Sequence, residues 1–170
     1  MVIQRLADRH DVPMRDRLLS PTDGRPAAVS GDYRNGSETV RLVMPLTMMN
    51  ESGEALRAIQ ADPTELLVVC DDVNLPLGTL RLRPSGGDGG HHGLRHCLEA
   101  LHTEAIQRLR VGVGVAPLPI DLTEFVLTSF RAAERPVMKH AIEQAADACE
   151  LWMREGIEAV MNRYNKAQVG

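Results

Sequence analysis

LLVVCDDVNLPLGTLRLRPSGGDGGHHG, residues 66–93, is the stretch that decides the fold and carries most of the polar chemistry. Its apolar opening, residues 66–70, has the length and β-branched content of a fully buried strand. Asp71 and Asp72 follow directly, and open α/β sheets place their ligand crevices at the carboxyl ends of their strands. The stretch therefore predicts a buried strand that ends in a candidate acidic site.

The middle of the stretch alternates apolar and basic residues over positions 79–83. Side chains in a strand alternate between its two faces, so Arg81 and Arg83 are expected on one face and the leucines between them on the other. The planar guanidinium group of arginine can donate paired hydrogen bonds to phosphate oxygens. The pattern predicts a strand with a basic face for a phosphate-bearing partner.

The end of the stretch is a loop that contains few side chains. A glycine-rich loop lets another molecule approach the backbone closely. The loop does not have the Gly-Lys-Ser/Thr ending of a phosphate-binding P-loop. Its residues are Gly86, Gly87, Asp88, Gly89, Gly90, His91, His92 and Gly93.

Composition limits the possible functions. A length of 170 residues predicts one domain spanning 1–170. The hydrophobic fraction of 44% and the charged fraction of 25% are typical of a globular protein. The aromatic fraction of 3% argues against base stacking as the main binding mode, and the net charge of −4 argues against general coating of nucleic acid. Three widely spaced cysteines match no metal-finger pattern and indicate a reducing, cytoplasmic setting. No run of residues predicts a membrane span.

Strand and helix patterns alternate after position 45, which predicts an α/β domain whose mixed β-sheet is flanked by helices. Asn35-Gly36 lies between two apolar runs and is the strongest hairpin signal in the chain; this hairpin is expected to supply the antiparallel part of the sheet. The predicted elements are helices at 1–10, 55–59, 93–101, 122–127 and 133–164, strands at 26–34, 37–44, 66–70, 79–83 and 107–113, and a loop at 116–119.

Four motifs carry a resemblance to a known family. They are PLTMMNESG at 45–53, CDDVNLPLG at 70–78, GGDGGHHGL at 86–94 and RLRVGVG at 108–114. In their order and spacing they resemble the bacterial peptidyl-tRNA hydrolase family, over nearly the whole chain. The resemblance implies a cytoplasmic, monomeric α/β enzyme without a cofactor, which uses water to cleave the ester between a peptide and tRNA.

The resemblance also implies roles for individual residues. Asp71 would orient and polarise a catalytic histidine, and Asn50 would hold the peptide near the ester. Beside Asn50, the residues expected at the peptide side are Met49, Gly89, Gly90, His91 and His92. The residues implied to contact tRNA phosphates are Arg81, Arg83, Arg108 and Arg110. We expect the acid, the amide and the arginines to converge on one groove.

The sequence departs from the family pattern at its start. Family members open with a strand that ends in a Gly-Leu-Gly-Asn-Pro-Gly type turn, followed by a Thr-Arg-His-Asn type motif whose histidine is the general base. The 170 residues contain neither motif. Two hypotheses follow: Met1 is an internal methionine of a longer reading frame, or the chain is a divergent paralogue that has lost hydrolysis.

Other interpretations stay open beside the hydrolase. The chain could be a non-catalytic RNA-binding module, and His92, where the family usually has asparagine, could replace the base by pairing with Asp71. His92 and His96 stand four residues apart and could share a metal ion with a carboxylate, although the ligand set is thin. Asn50 could instead be a helix N-cap, and Asp71 a cap for the turn that follows it.

Overall fold

The computed structural model describes residues 1–115, 117 and 122–165. Most of the loop predicted at 116–119 lies outside these residues. The strands are β1 (Asp16–Leu19), β2 (Pro26–Asn35), β3 (Glu38–Pro45), β4 (Leu67–Pro76), β5 (Leu80–Arg83) and β6 (Gln107–Gly114). The helices are α1 (Val2–Arg9), α2 (Gly53–Ala58), α3 (His92–Leu101), α4 (Leu122–Leu127) and α5 (Arg135–Tyr164), with short 3-10 turns at Met49–Glu51 and Pro63–Glu65.

The α/β class and the mixed sheet flanked by helices are confirmed, but the hairpin has a different place. Strands β1, β2 and β3 form an antiparallel sheet, and β4, β6 and β5 form the mixed sheet in that order. The hairpin pairs with β1, which the sequence did not predict, so the antiparallel member of the mixed sheet is β5. The chain divides into two compact units, 1–66 with 85–106 and 67–84 with 107–170.

In the first unit the hairpin is confirmed and its turn lies one residue later than predicted. Asn35 pairs with Glu38, so the two-residue connection is Gly36-Ser37. Gly36 has φ +64°, a conformation that glycine adopts without steric cost. Leu6 of α1 and Leu42 of β3 are buried in the core of this unit.

In the second unit β6 is the central strand. It runs parallel to β4 and antiparallel to β5. Helix α5 packs on β5 and β6, where Leu82 and Leu109 are fully buried. The alanines of α5 at positions 141 and 145 are also fully buried and allow the helix close to the strands.

The prediction that residues 66–70 form a fully buried strand is wrong. Strand β4 is an outer strand of the mixed sheet, with β6 as its only ladder partner among the described residues, and residues 67–71 are half-buried. The strand also runs on to Pro76, with a register irregularity after Asp72. Asp71 and Asp72 therefore lie within the strand and not beyond its end.

Two glycines of β6 allow the irregular part of β4 to cross close to β6. A Cβ atom at Gly112 would lie 2.1 Å from the carbonyl oxygen of Pro76, and one at Gly114 would lie 2.2 Å from that of Val73. Both distances are too short for any side chain. The glycines of the RVGVG motif thus have a packing role.

Helix α5 is not one straight rod. Gly156 has φ +79° and ψ 178°, which breaks the helical path. This region of φ/ψ space is essentially restricted to glycine. Before the break, the Trp152 indole donates a hydrogen bond of 2.6 Å to Gln107 Oε1 and fixes the helix against the start of β6. No helix of the described ranges is long and apolar enough to cross a membrane.

Candidate functional site

Two motifs that are distant in sequence meet in the first unit. A Cβ atom at Gly93 would lie 2.8 Å from Met49 Sδ and 2.9 Å from the Met49 carbonyl oxygen. Only glycine therefore fits beside the 3-10 turn that carries Asn50. The contact places the predicted peptide-side residues of both motifs in one neighbourhood of this unit.

Asn50 lies in this 3-10 turn and is exposed. The alternative that it caps the following helix is wrong, because Ser52 occupies the N-cap position of α2. Met48 and Met49 are 74% and 47% exposed, which is high for large apolar side chains. An exposed amide next to exposed apolar surface can accept a peptide, which has both polar backbone and apolar side chains.

Asp88 organises the glycine loop. Its Oδ1 accepts a hydrogen bond of 2.6 Å from the Gly90 amide, and its Oδ2 accepts one of 3.1 Å from Arg95 Nε. These hydrogen bonds hold the pKa of Asp88 below its usual value, and the bond from Arg95 has the larger effect. A charged carboxylate at neutral pH thus fixes the exposed Gly89 and Gly90 backbone.

The histidines near this loop have different partners. His91 is the N-cap of α3, and its Nδ1 accepts a hydrogen bond of 3.0 Å from the Leu94 amide. His96 Nδ1 accepts one of 3.2 Å from the Gly53 amide, the first residue of α2. His92 is exposed at the first position of α3. Within the described ranges, no group of three or more His, Cys, Asp or Glu side chains could hold a metal ion.

In the second unit the strand register collects the four predicted arginines on one face of the mixed sheet. Arg81 of β5 is paired with Arg110 of β6, and Arg83 is paired with Arg108. Directly opposed residues of an antiparallel pair share a face, and like charges in that arrangement destabilise the sheet. An anion bound to this face would therefore be stabilised.

The four arginines are not equivalent. Arg81 and Arg83 are exposed. Arg110 is 23% exposed and its Nη2 lies 2.9 Å from Asp72 Oδ2. Arg108 is only 2% exposed, so the expectation that it contacts tRNA phosphates is not supported. It belongs to the central strand, whose side chains are covered from both neighbouring strands.

The two aspartates of β4 point to different faces of the mixed sheet. Asp72 is buried, its Oδ1 accepts a hydrogen bond of 2.9 Å from the Asn74 amide, and its Oδ2 forms the ion pair with Arg110 but no hydrogen bond of good geometry among the described residues. The turn-capping alternative considered for Asp71 thus applies to Asp72. Asp71 is half-buried and pairs with Val111, so the register places it on the face opposite the arginines. This face assignment does not support the expected convergence of Asp71 and the arginines.

Cys70 precedes these aspartates and is not a nucleophile at neutral pH. Burial, and next the negative charge of Asp71, raise the pKa of its thiol to about 12. Because the thiolate is the reactive form of cysteine, this side chain stays inert.

The fold defines an α/β protein whose mixed sheet carries two exposed arginines on its edge strand. A model of the peptidyl-tRNA hydrolase family matches residues 1–170. A peptidyl-tRNA hydrolase of Syntrophomonas wolfei is 41% identical over 168 residues, covering 96% of this chain and 87% of that protein. A peptidyl-tRNA hydrolase of Synechococcus sp. (strain JA-3-3Ab) is 41% identical over 170 residues, covering 97% and 72%.

Solved structures agree with these sequence matches. A peptidyl-tRNA hydrolase from Acinetobacter baumannii superimposes with a TM-score of 0.83 at 27% identity, covering 97% of this chain and 83% of that one. A peptidyl-tRNA hydrolase in complex with N-propanol gives a TM-score of 0.84 at 26% identity, covering 99% and 85%. The chain belongs to the peptidyl-tRNA hydrolase family, and the enzyme class predicted from its four motifs is confirmed.

Proposed function

We propose that this chain uses water to cleave the ester that joins a peptide to tRNA, and so returns tRNA to translation. The observation that carries the proposal is the family match over residues 1–170, which includes all four motifs found in the sequence. We further propose that it acts in the cytoplasm as a monomer. Light scattering of the purified chain would check the oligomeric state.

We assign tRNA recognition to the exposed arginines Arg81 and Arg83. Neither forms a salt bridge within the part of the chain that the structure describes, so both guanidinium groups are available to phosphates. Contacts to phosphate position a nucleic acid without reading its sequence. Such binding suits an enzyme that must accept every tRNA, and it requires only local positive charge, which the net charge of −4 permits.

We assign the peptide side to Asn50, Met49 and the backbone of the glycine loop. The Asn50 amide can both donate to and accept from a peptide backbone. Gly89 and Gly90 expose main chain that the Asp88 carboxylate holds in place. A site that contacts backbone more than side chains would accept many different peptides.

The reaction requires a base that removes a proton from the attacking water. The water oxygen forms a bond to the ester carbonyl carbon, the bond to the tRNA 3′ oxygen breaks, and that oxygen takes up a proton as the peptide leaves as an acid. A positioned base contributes about 10² to 10⁴-fold in rate. We propose His92 as the candidate for this role within the 170 residues, because it is exposed and the next residue, Gly93, packs against Met49 of the turn that carries Asn50. Asp71 stays the proposed acid that polarises a catalytic histidine.

Binding and cleavage should be measured separately on one purified sample. The chain is mixed with N-acetyl-aminoacyl-tRNA, and complex formation and release of the acyl group are followed in parallel. Binding with release supports the hydrolase, and His92→Ala should then lower the release rate about 10²-fold or more. Binding without release favours the non-catalytic RNA-binding module, and absence of both contradicts the proposal.

A further inference from the structure

The outer edge of β5 is closed by a side chain and not by another strand. Among the described strands, β5 has a ladder partner, β6, on one side only. On its other side the Leu82 amide donates a hydrogen bond of 2.7 Å to Asn165 Oδ1, and Asn165 Nδ2 donates one of 3.0 Å to the Leu82 carbonyl oxygen. A carboxamide supplies one acceptor and donors in the arrangement that a neighbouring strand would supply. Asn165 therefore serves as a one-residue partner of the edge strand.

The residue that Asn165 holds lies between the two exposed arginines. Leu82 is flanked by Arg81 and Arg83, and its side chain is fully buried on the opposite face. The strand is thus fixed on three sides: by the β6 ladder, by the buried leucine and by the Asn165 amide. Because β5 has only four residues, each of these constraints helps to fix the backbone positions of Arg81 and Arg83.

The path of α5 is what brings Asn165 to this edge. Val137, near the start of the helix, packs at Gly78, four residues before Leu82. Those four residues span at most about 14 Å. A straight helix from 137 to 165 would be about 42 Å long. The break at Gly156 turns the last segment back, so that both ends of α5 contact the β5 segment.

We propose that Asn165 is a positioning residue for tRNA binding, which holds β5 so that Arg81 and Arg83 face the phosphates. This inference rests on the proposed function. Asn165 acts through Leu82 and does not itself contact the RNA. Its loss should weaken the interaction with the tRNA body and leave the chemistry at the ester unchanged.

The test compares Asn165→Ala with Asn162→Ala, a control on the exposed side of the same final turn. The substrates are N-acetyl-aminoacyl-tRNA and the N-acetyl-aminoacyl ester of adenosine, which has no phosphates. We expect Asn165→Ala to raise KM for the tRNA substrate about fivefold, with kcat unchanged and with no effect on the adenosine ester. Asn165→Gln keeps the carboxamide and should restore part of the loss, and Asn162→Ala should match the wild type.

A double variant shows whether the effect passes through the arginines. If it does, adding Asn165→Ala to Arg81→Ala/Arg83→Ala should change KM little further. If the wild type cleaves the tRNA substrate, an unchanged KM in Asn165→Ala would overturn the inference. An equal rise of KM for both substrates would overturn it as well. A wild type that neither binds nor cleaves tRNA would overturn the proposed function, and this inference with it.

Discussion

Both sheets contain an aspartate–arginine pair, and the two pairs differ in burial. In the antiparallel sheet Arg41 contacts Asp32 through two hydrogen bonds of 2.9 and 2.8 Å, and both side chains are at least one-third exposed. In the mixed sheet the Asp72 side chain is 2% exposed where it meets Arg110. Water screens the first pair and is excluded from the second. Breaking the buried pair is therefore expected to cost more stability than breaking the exposed pair.

The comparison explains how a chain with net negative charge keeps a basic face. The antiparallel sheet balances Arg41 within the surface pair with Asp32. The mixed sheet places four arginines on one face and neutralises Arg110 with a buried carboxylate, while Arg81 and Arg83 remain exposed. Charge is thus balanced inside the mixed sheet and left available at its surface.

The largest expected effect is on stability. Asp72→Asn leaves the Arg110 charge poorly compensated in a largely buried setting and should lower the free energy of unfolding by about 3 kcal/mol. The matched variant Asp32→Asn removes the exposed pair and should lower it by less than about 1 kcal/mol. Denaturant unfolding of both variants measures the difference, and equal losses would contradict the distinction between the sheets.

The next effect is on RNA binding. Arg81→Ala/Arg83→Ala should weaken tRNA binding about tenfold and lower the slope of log affinity against log salt by about two, one for each lost phosphate contact. Filter binding over a range of salt concentrations measures both quantities.

The control for this variant removes the same charge from the antiparallel sheet. Arg34→Ala/Arg41→Ala should leave the salt slope unchanged, because these residues contact Thr39, Ser37 and Asp32 at the hairpin. If both double variants lower the slope equally, net charge and not the arginine face governs binding.

The smallest effect concerns the exposed pair and pH. The hydrogen bond from Arg41 is the main cause that lowers the pKa of Asp32. Arg41→Gln should therefore raise the pKa of Asp32 toward its ordinary value, as read from the carboxyl chemical shift during titration. A carboxyl with a lowered folded-state pKa contributes stability above its unfolded pKa of about 3.9 and loses it as the pH falls through the folded value. The stability difference between wild type and Arg41→Gln should be present at neutral pH and vanish in acid; a constant difference would be the contrary result.

Sequence patterns predicted the elements that depend on residues close together in the chain. The hairpin and the alternation of β5 could be predicted from turn residues and from the two-residue period of a strand, and both are present, with the hairpin turn one residue later than predicted. The four motifs predicted the family, and the comparisons confirm it. Site roles for Asp71 and Asn50 stay predictions.

What the sequence could not predict depends on neighbours across the sheet. Arg108 alternates with leucine just as Arg83 does, but β6 is central and β5 is at the edge, so one arginine is buried and the other exposed. The buried character of β4 was overestimated for the reverse reason, since an apolar run does not reveal that a strand is outermost. Asn165 gave no signal, because its partner Leu82 is far away in sequence.

The crossing of β4 over Gly112 and Gly114 affects how a mutational scan of this enzyme would be interpreted. Two main chains lie in contact there, so even a single added methyl group would push the Pro76 and Val73 carbonyls aside. Alanine at either glycine would shift the path of the segment that leads from Asp72 to β5. Inactive variants at these positions would report a displaced backbone, and only purified protein with intact unfolding behaviour could separate them from variants that remove a reacting group.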